Sequence, residues 1–295
     1  MANEIDVALT TQFSDMVHVK AQQMQARLRP YSRIMKMKGD LWAYDGIGQV
    51  EAREYSGRVQ PVSFDSIDHL RRKIRRRRFA VNLPIDGSDV RGVLLDPQSN
   101  YAEACVMAMA RVYDRVGIES AFADVQTGRD FGTTVTFASD GGVTVTATAG
   151  LTYNKLVEMK KNFTNREVGL DVGEQLIFAI TGDEEEALMK ETQLISGDYT
   201  RQFAVEKGEM VRAAGFNLVK YGDSVSNPLL SVSGGTRSCI AASTRGIVYG
   251  MSLDLSVSVE KRSDYLEVTQ VQAIIQLGAV RSEGVLVQKV TTTDS

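Results

Sequence analysis

The sequence is short of the residues that active-site chemistry most often needs. It has two histidines, His18 and His69, and neither sits in a pattern with Asp, Cys or Ser that would mark a base for nucleophilic catalysis. Its two cysteines, Cys105 and Cys239, lie far apart among small or apolar residues. That excludes a disulfide framework and reads as two reduced, buried thiols, which suits a cytoplasm. Cys-x-x-Cys, a histidine pair at helical spacing and a calcium-loop pattern are all missing, so no metal centre is expected. A Gly-x-x-x-x-Gly-Lys phosphate loop is missing too. No apolar run reaches the roughly 18 residues of a membrane span, and the N-terminus lacks the profile of a signal peptide. The chain reads as a non-enzyme without cofactor, catalytic residue or membrane partner.

Charge of one sign is also lacking. The 295 residues carry a formal net charge of −3, which argues against a dedicated nucleic-acid binder. The balance is uneven, however. Arg71, Arg72, Lys73, Arg75, Arg76, Arg77 and Arg78 place seven positive charges in eight positions, with Ile74 between them. Such a run repels itself and needs anionic company. Carboxylates on another subunit, nucleic-acid phosphates and a solvated face are the three readings, with the subunit interface preferred.

What is present is organised around residues 96–122. Asp96 and Pro97 are suited to open a helix. Tyr101, Cys105, Ala108, Met109, Val112 and Val116 then recur at three- and four-residue steps. Charge returns at Arg111, Asp114 and Arg115. The pattern predicts a long spine packed on more than one side, with Met109 and Val112 in the core.

Before the spine, Leu9, Phe13, Met16, Val17, Met24 and Leu28 predict a thin amphipathic helix, better suited to an arm on a neighbour than to an internal core. Residues 34–84 follow as two strand-like limbs around a polar middle, the first with Leu41, Trp42 and Tyr44, the second with Phe79, Val81 and Leu83. Too little apolar material lies here for a core, so the segment is expected to project as a two-stranded arm.

After the spine, residues 133–138 and 143–148 alternate around Ser139-Asp140-Gly141-Gly142, a hairpin signal because glycine tolerates the positive φ of tight turns. Residues 152–223 read as an α/β subdomain. Thr152 caps a helix with Leu156, Met159 and Phe163, residues 175–180 form an apolar strand, and Thr181-Gly182-Asp183 leads a helix whose Glu184-Glu185-Glu186 is a solvated first turn. A brief helix at 198–205 and a strand pair over 210–221 complete it. The last sixty residues are strands at 238–242, 251–259 and 268–277, a bend at Gly278-Ala279-Val280-Arg281, and a closing strand through Val285, Val287 and Val290.

This order resembles the major capsid proteins of tailed bacteriophages, whose shell fold also underlies the herpesvirus capsid floor and the encapsulins. The residues that carry the likeness are Asp96-Pro97 opening a helix with Arg111 and Asp114, then Lys207-Gly208-Glu209 with Gly215-Phe216, then Gly278-Ala279-Val280-Arg281 before a valine-rich strand. The resemblance implies an α+β phage major-capsid fold: N-terminal arm (1–33), extended loop (34–84), peripheral domain with spine helix (85–124), α/β axial domain (125–245) and C-terminal peripheral strands (246–295). It implies a structural subunit that self-assembles into hexamers and pentamers of an icosahedral shell around double-stranded DNA. Such a shell would be built in a bacterial cytoplasm and would end as the virion capsid. Arg71 to Arg78 and Trp42 would contact neighbouring subunits. Portal and cement proteins are implied partners, and since the chain has no room for a removable scaffolding segment, a separate scaffolding protein or none is expected. A nucleic-acid-binding protein using the arginine run, and an encapsulin-like compartment, are the alternatives.

Overall fold

A computed structural model of the chain describes residues 22–54, 64–85, 98–147, 150–191, 210–222, 228–265 and 268–293. Most of the expected arm helix, the Asp96-Pro97 opening, the helix at 198–205 and Lys207-Gly208-Glu209 lie outside these residues. Residues 22–28, the described end of the expected arm helix, are irregular.

In chain order the elements are β1 (Arg33–Lys36), β2 (Leu41–Ile47), β3 (His69–Arg75), β4 (Arg77–Ile85), α1 (Gln98–Phe122), β5 (Val125–Thr127), β6 (Thr133–Val135), β7 (Val143–Ala147), α2 (Tyr153–Thr164) and β8 (Leu176–Ile180). There follow α3 (Gly182–Met189), β9 (Arg212–Ala213), β10 (Phe216–Lys220), β11 (Val232–Ser233), β12 (Thr236–Ser243), β13 (Ile247–Arg262), β14 (Val268–Arg281) and β15 (Val287–Thr293). The chain divides into two compact units, one drawn from 22–26, 77–113 and 253–277, the other from 27–76, 114–252 and 278–293.

In the first unit β4 runs antiparallel to β14, from Thr269 opposite Ile85 to Leu277 opposite Arg77. Alternation sorts the faces: Val271, Ala273, Ile275 and Leu277 are buried, while Arg78 and Asn82 stand exposed opposite Gln276 and Gln272. The α1 residues of this unit bury Cys105, Met107, Met109 and Tyr113. Tyr101, expected in the buried stripe, is 42% exposed and Val112 is half-buried, because the inward line runs through Tyr113 instead. Along residues 253–262 the alternation is as read, yet Leu253, Val257 and Val259 are exposed.

The second unit is built on a seven-stranded sheet of order β7-β15-β12-β8-β10-β9, with β11 beside β12. Its centre, β8, is buried at every residue, as a strand covered on both faces must be. Leu156, Met159 and Phe163 of α2 are buried, and Phe216 stands 6.0 Å from Phe163 and 6.2 Å from Phe178 between ring centroids. A second sheet of order β2-β3-β5-β6 lies in the same unit. Met37, Ile74, Val125, Val248 and Val280 form a further core cluster, with Met35, Trp42 and Tyr44 against it.

Four expectations change here. The turn at 139–142 is present, closed by Gly142 N–H to Phe137 O at 3.0 Å, but no hairpin flanks it. β6 pairs with β5 and β7 pairs in parallel with β15, so the two alternating runs enter different sheets. The bend at 278–281 is absent: β14 continues to Arg281, and Gly278 serves a close approach, since a Cβ there would lie 2.2 Å from the Arg75 carbonyl oxygen. Glu184 is not solvated but 3% exposed; it accepts hydrogen bonds from Thr181 at the start of α3 and from Thr292 at 2.7 Å, with Arg237 at 3.4 Å. Asp114, read as returning surface charge, is fully buried and accepts the backbone N–H groups of Arg27 and Leu28 at 2.9 and 3.0 Å. An α-helix interior offers no free donors, so this carboxylate takes its hydrogen bonds from another stretch of chain.

Candidate assembly interface

The arginine run is divided by geometry. β3 pairs antiparallel with β2 from Leu41 opposite Arg75 to Ile47 opposite His69, so the hairpin's returning limb is β3. The expected second limb, with Phe79, Val81 and Leu83, belongs to β4 and joins another strand. The period of two then points successive β3 side chains to opposite faces. Arg71, Lys73 and Arg75 face outward, while Leu70, Arg72 and Ile74 face inward.

Most of the outward charges have partners in the chain. Arg71 makes a two-pronged pair with the directly opposed Asp45, at 2.7 and 3.1 Å. The hydrogen bond and charge of Arg71 hold the Asp45 carboxyl below its usual pKa. Lys73 Nζ donates to Gln126 at 2.8 Å, Arg76 pairs with Asp40, and Arg77 stacks over the Phe79 ring at 5.0 Å. Arg75 and Arg78 are exposed, and their side chains make no hydrogen bond or ion pair among the described residues.

Arg72 is not a surface charge at all. It is 1% exposed and forks onto Asp140, with Nη1 to Oδ2 at 2.9 Å and Nη2 to Oδ1 at 2.6 Å. Arg281 Nε reaches Asp140 Oδ2 at 2.8 Å, and its Nη1 donates to the carbonyls of Ala121 and Ala123 at 2.8 and 3.1 Å. Two buried cations thus share one carboxylate, and the carbonyl end of α1 supplies further negative potential to Arg281. Burial pushes the Asp140 carboxyl up, and hydrogen bonds and charge from Arg72 and Arg281 outweigh it, leaving the pKa below the ordinary value. The clamp fixes the base of the hairpin to the 139–142 turn and to the end of β14. Arg72 is therefore removed from the residues expected to meet a neighbour, and Trp42 is half-buried against the Met37–Val280 cluster.

Sequence reading missed Asp140 and Arg281 because they lie 68 and 209 residues from Arg72. The only signal was an Asp in a Gly-rich turn, which has a local explanation of its own. Beyond the clamp, the end of β2 and the span from it to β3 expose apolar side chains. Ile47 is 72%, Val50 51%, Phe64 96% and Ile67 41% exposed.

Among the described residues no three His, Cys, Asp or Glu side chains are placed to hold a metal. No helix among them is long and apolar enough to cross a membrane. Burial raises the pKa of both thiols, for Cys239 well above the usual value, which leaves them poor nucleophiles. Paired charge, exposed apolar side chains and a braced hairpin are the chief surface features of this region among the described residues.

The sequence matches the phage capsid protein family over residues 5–293, and the chain belongs to that family. It is a structural capsid subunit. No curated protein matches the sequence. Among solved structures, the capsid of cyanophage P-SCSP1u is similar with a TM-score of 0.74 and 14% identity, over 100% of this chain and 96% of that one. A Mycobacterium phage Che8 structure aligns at 0.69 and 15% identity, covering 95% and 96%. The head of Helicobacter pylori bacteriophage KHP40 aligns at 0.73 and 9% identity, covering 97% and 96%. At such identities the likeness is one of fold.

Proposed function

We propose that this subunit assembles with copies of itself into hexamers and pentamers of an icosahedral shell that encloses double-stranded DNA. In this reading the β2–β3 hairpin is the extended loop, laid on a neighbouring subunit. The observation that carries it is the exposure of the apolar residues Ile47, Val50, Phe64 and Ile67 at the far end of a hairpin braced at its base by buried charge. A subunit gains nothing from leaving such side chains in water, whereas a neighbour would bury them. α1 with β13 and β14 would form the peripheral domain, and the seven-stranded sheet, which takes in the C-terminal strand β15, the axial one.

Arg75 and Arg78 are the charges left for an outside partner, and carboxylates of the adjacent subunit are the partner this reading assigns. DNA is the second reading, favoured by the same two unpaired guanidiniums. Reversing both, Arg75→Glu with Arg78→Glu, separates the two. The pairs are exposed, so each contact is worth only about 1 kcal/mol, but a shell repeats the loss in every subunit. Light scattering and negative-stain microscopy should show megadalton shells from wild type without nucleic acid, and none from the variant at low salt. Normal empty shells from the variant would reassign these residues to DNA. A wild-type protein that stays monomeric at every salt and concentration would end the shell reading.

A further inference from the structure

We infer that the loop between α2 and β8 is a preformed apolar anchor that inserts into a second copy of this chain, an inference that rests on the shell reading above. At its tip Leu170 is 57% exposed and Val172 fully exposed, one residue apart. Scattered exposed apolar residues are ordinary. What sets this pair apart is how firmly the loop holds it outward.

Three residues with positive φ shape the loop: Glu167 at 58°, Gly169 at 74° and Gly173 at 93°. The first ends α2, and the turn beyond it closes with Val168 N–H to Phe163 O at 3.0 Å. Val168 turns inward and is 3% exposed. Gly169 then passes so near Leu176 that a Cβ would lie 2.8 Å from its side chain. The Glu174 carboxylate, 3% exposed, sits inside the loop. One of its oxygens accepts the Gly169 N–H at 2.9 Å and the other accepts the Ser243 hydroxyl. Glu174 N–H donates to Asp171 O at 3.2 Å and closes the turn that carries Val172. A buried acid with its hydrogen bonds made is costly to move. The tip therefore cannot fold Leu170 and Val172 back onto their own chain.

The surroundings fit an interface centre. Asp171 and Arg245, both largely exposed, stand 3.8 Å apart beside the tip and give the apolar pair a polar rim. Two side chains bury too little to hold a separate partner, for which about 800 Å² per side is usual. In a closed assembly the same small contact recurs in every subunit and adds to the others, so a second copy is the occupant.

The test is Leu170→Asp with Val172→Asp, read by circular dichroism, thermal unfolding and the protein concentration at which rings or shells appear. Both side chains face solvent, so the subunit should fold and melt as wild type does. The assembly threshold should rise by at least about tenfold. Leu170→Met with Val172→Ile, which keeps the apolar surface, should assemble normally. If the double aspartate lowers the melting temperature, Leu170→Ser with Val172→Ser gives the same comparison without added charge. Shells from a folded aspartate or serine variant at the wild-type threshold would overturn the anchor and leave the shell reading intact. A wild-type protein that never assembles would bring down both.

Discussion

Removing the carboxylate of Asp140 should unfold the protein more readily than removing either arginine that holds it. Asp140 is the shared counter-charge of Arg72 and Arg281, which are 1% and 0% exposed. Asp140→Ala leaves two buried guanidiniums without their shared counter-charge. Breaking one buried pair from one side costs about 3–5 kcal/mol. With two stranded cations the loss should sit at the upper end, about 4–5 kcal/mol. Arg72→Met behaves differently: its stem still fills the space, and Arg281 remains with Asp140 at 2.8 Å as a balanced pair. That variant should lose no more than about 1–2 kcal/mol. Urea denaturation of unassembled subunit at neutral pH, followed by tryptophan fluorescence of Trp42, gives both numbers. The sole tryptophan packs on the cluster that includes Ile74, directly opposite it on β3, so it reports on the hairpin base. Equal losses in the two variants would refute the idea that one carboxylate balances both cations.

Acid should act through the same group. The folded-state pKa of Asp140 is depressed, so its stabilisation is complete above the ordinary carboxylate value of about 3.9 and is lost as pH falls through the lower folded value. The gap in denaturation midpoint between wild type and Asp140→Asn should therefore be constant at neutral pH and narrow below about pH 4; a gap that widens in acid would contradict this sign. Gly278→Ala should destabilise by about 1–3 kcal/mol or more, because its Cβ would meet the Arg75 carbonyl oxygen at 2.2 Å. Gly182→Ala, where a Cβ meets nothing within 4 Å, should be neutral or slightly stabilising in the same melt.

Local signals carried much of the architecture. The unbroken run to Gly117 foretold α1, the Leu156-Met159-Phe163 spacing foretold α2, and the apolar block 176–180 foretold the central strand. Pairing was less legible. The valine-threonine runs on either side of Gly141 read as partners because a turn joins them, yet β5 and β15 offered better-placed edges. Buried charge was the least legible feature of all. Arg72, Asp114, Glu184 and Arg281 each look like surface residues beside their sequence neighbours, and what buries each is a group far along the chain. A run of positive charges names no partners. The two-residue period of β3 separates Arg72, which braces the chain, from Arg75, which is left for something else.

The clamp also bears on timing. Its three side chains come from positions 72, 140 and 281, so none of its ion pairs with Arg281 can form until that residue has been synthesised. Contacts of such sequence separation form late, after local helices and turns. During synthesis, Arg72 and Asp140 can meet first, but the base of the hairpin lacks its second arginine and the continuation of β14. The exposed apolar residues Ile47, Val50, Phe64 and Ile67 would then sit on a loosely rooted ribbon. A loosely rooted ribbon samples many directions and docks poorly on a neighbour, because each docking must first fix its orientation. Subunits emerging side by side from polysomes would thus be poor partners until their last strands are laid down, and the order of translation itself would delay premature association.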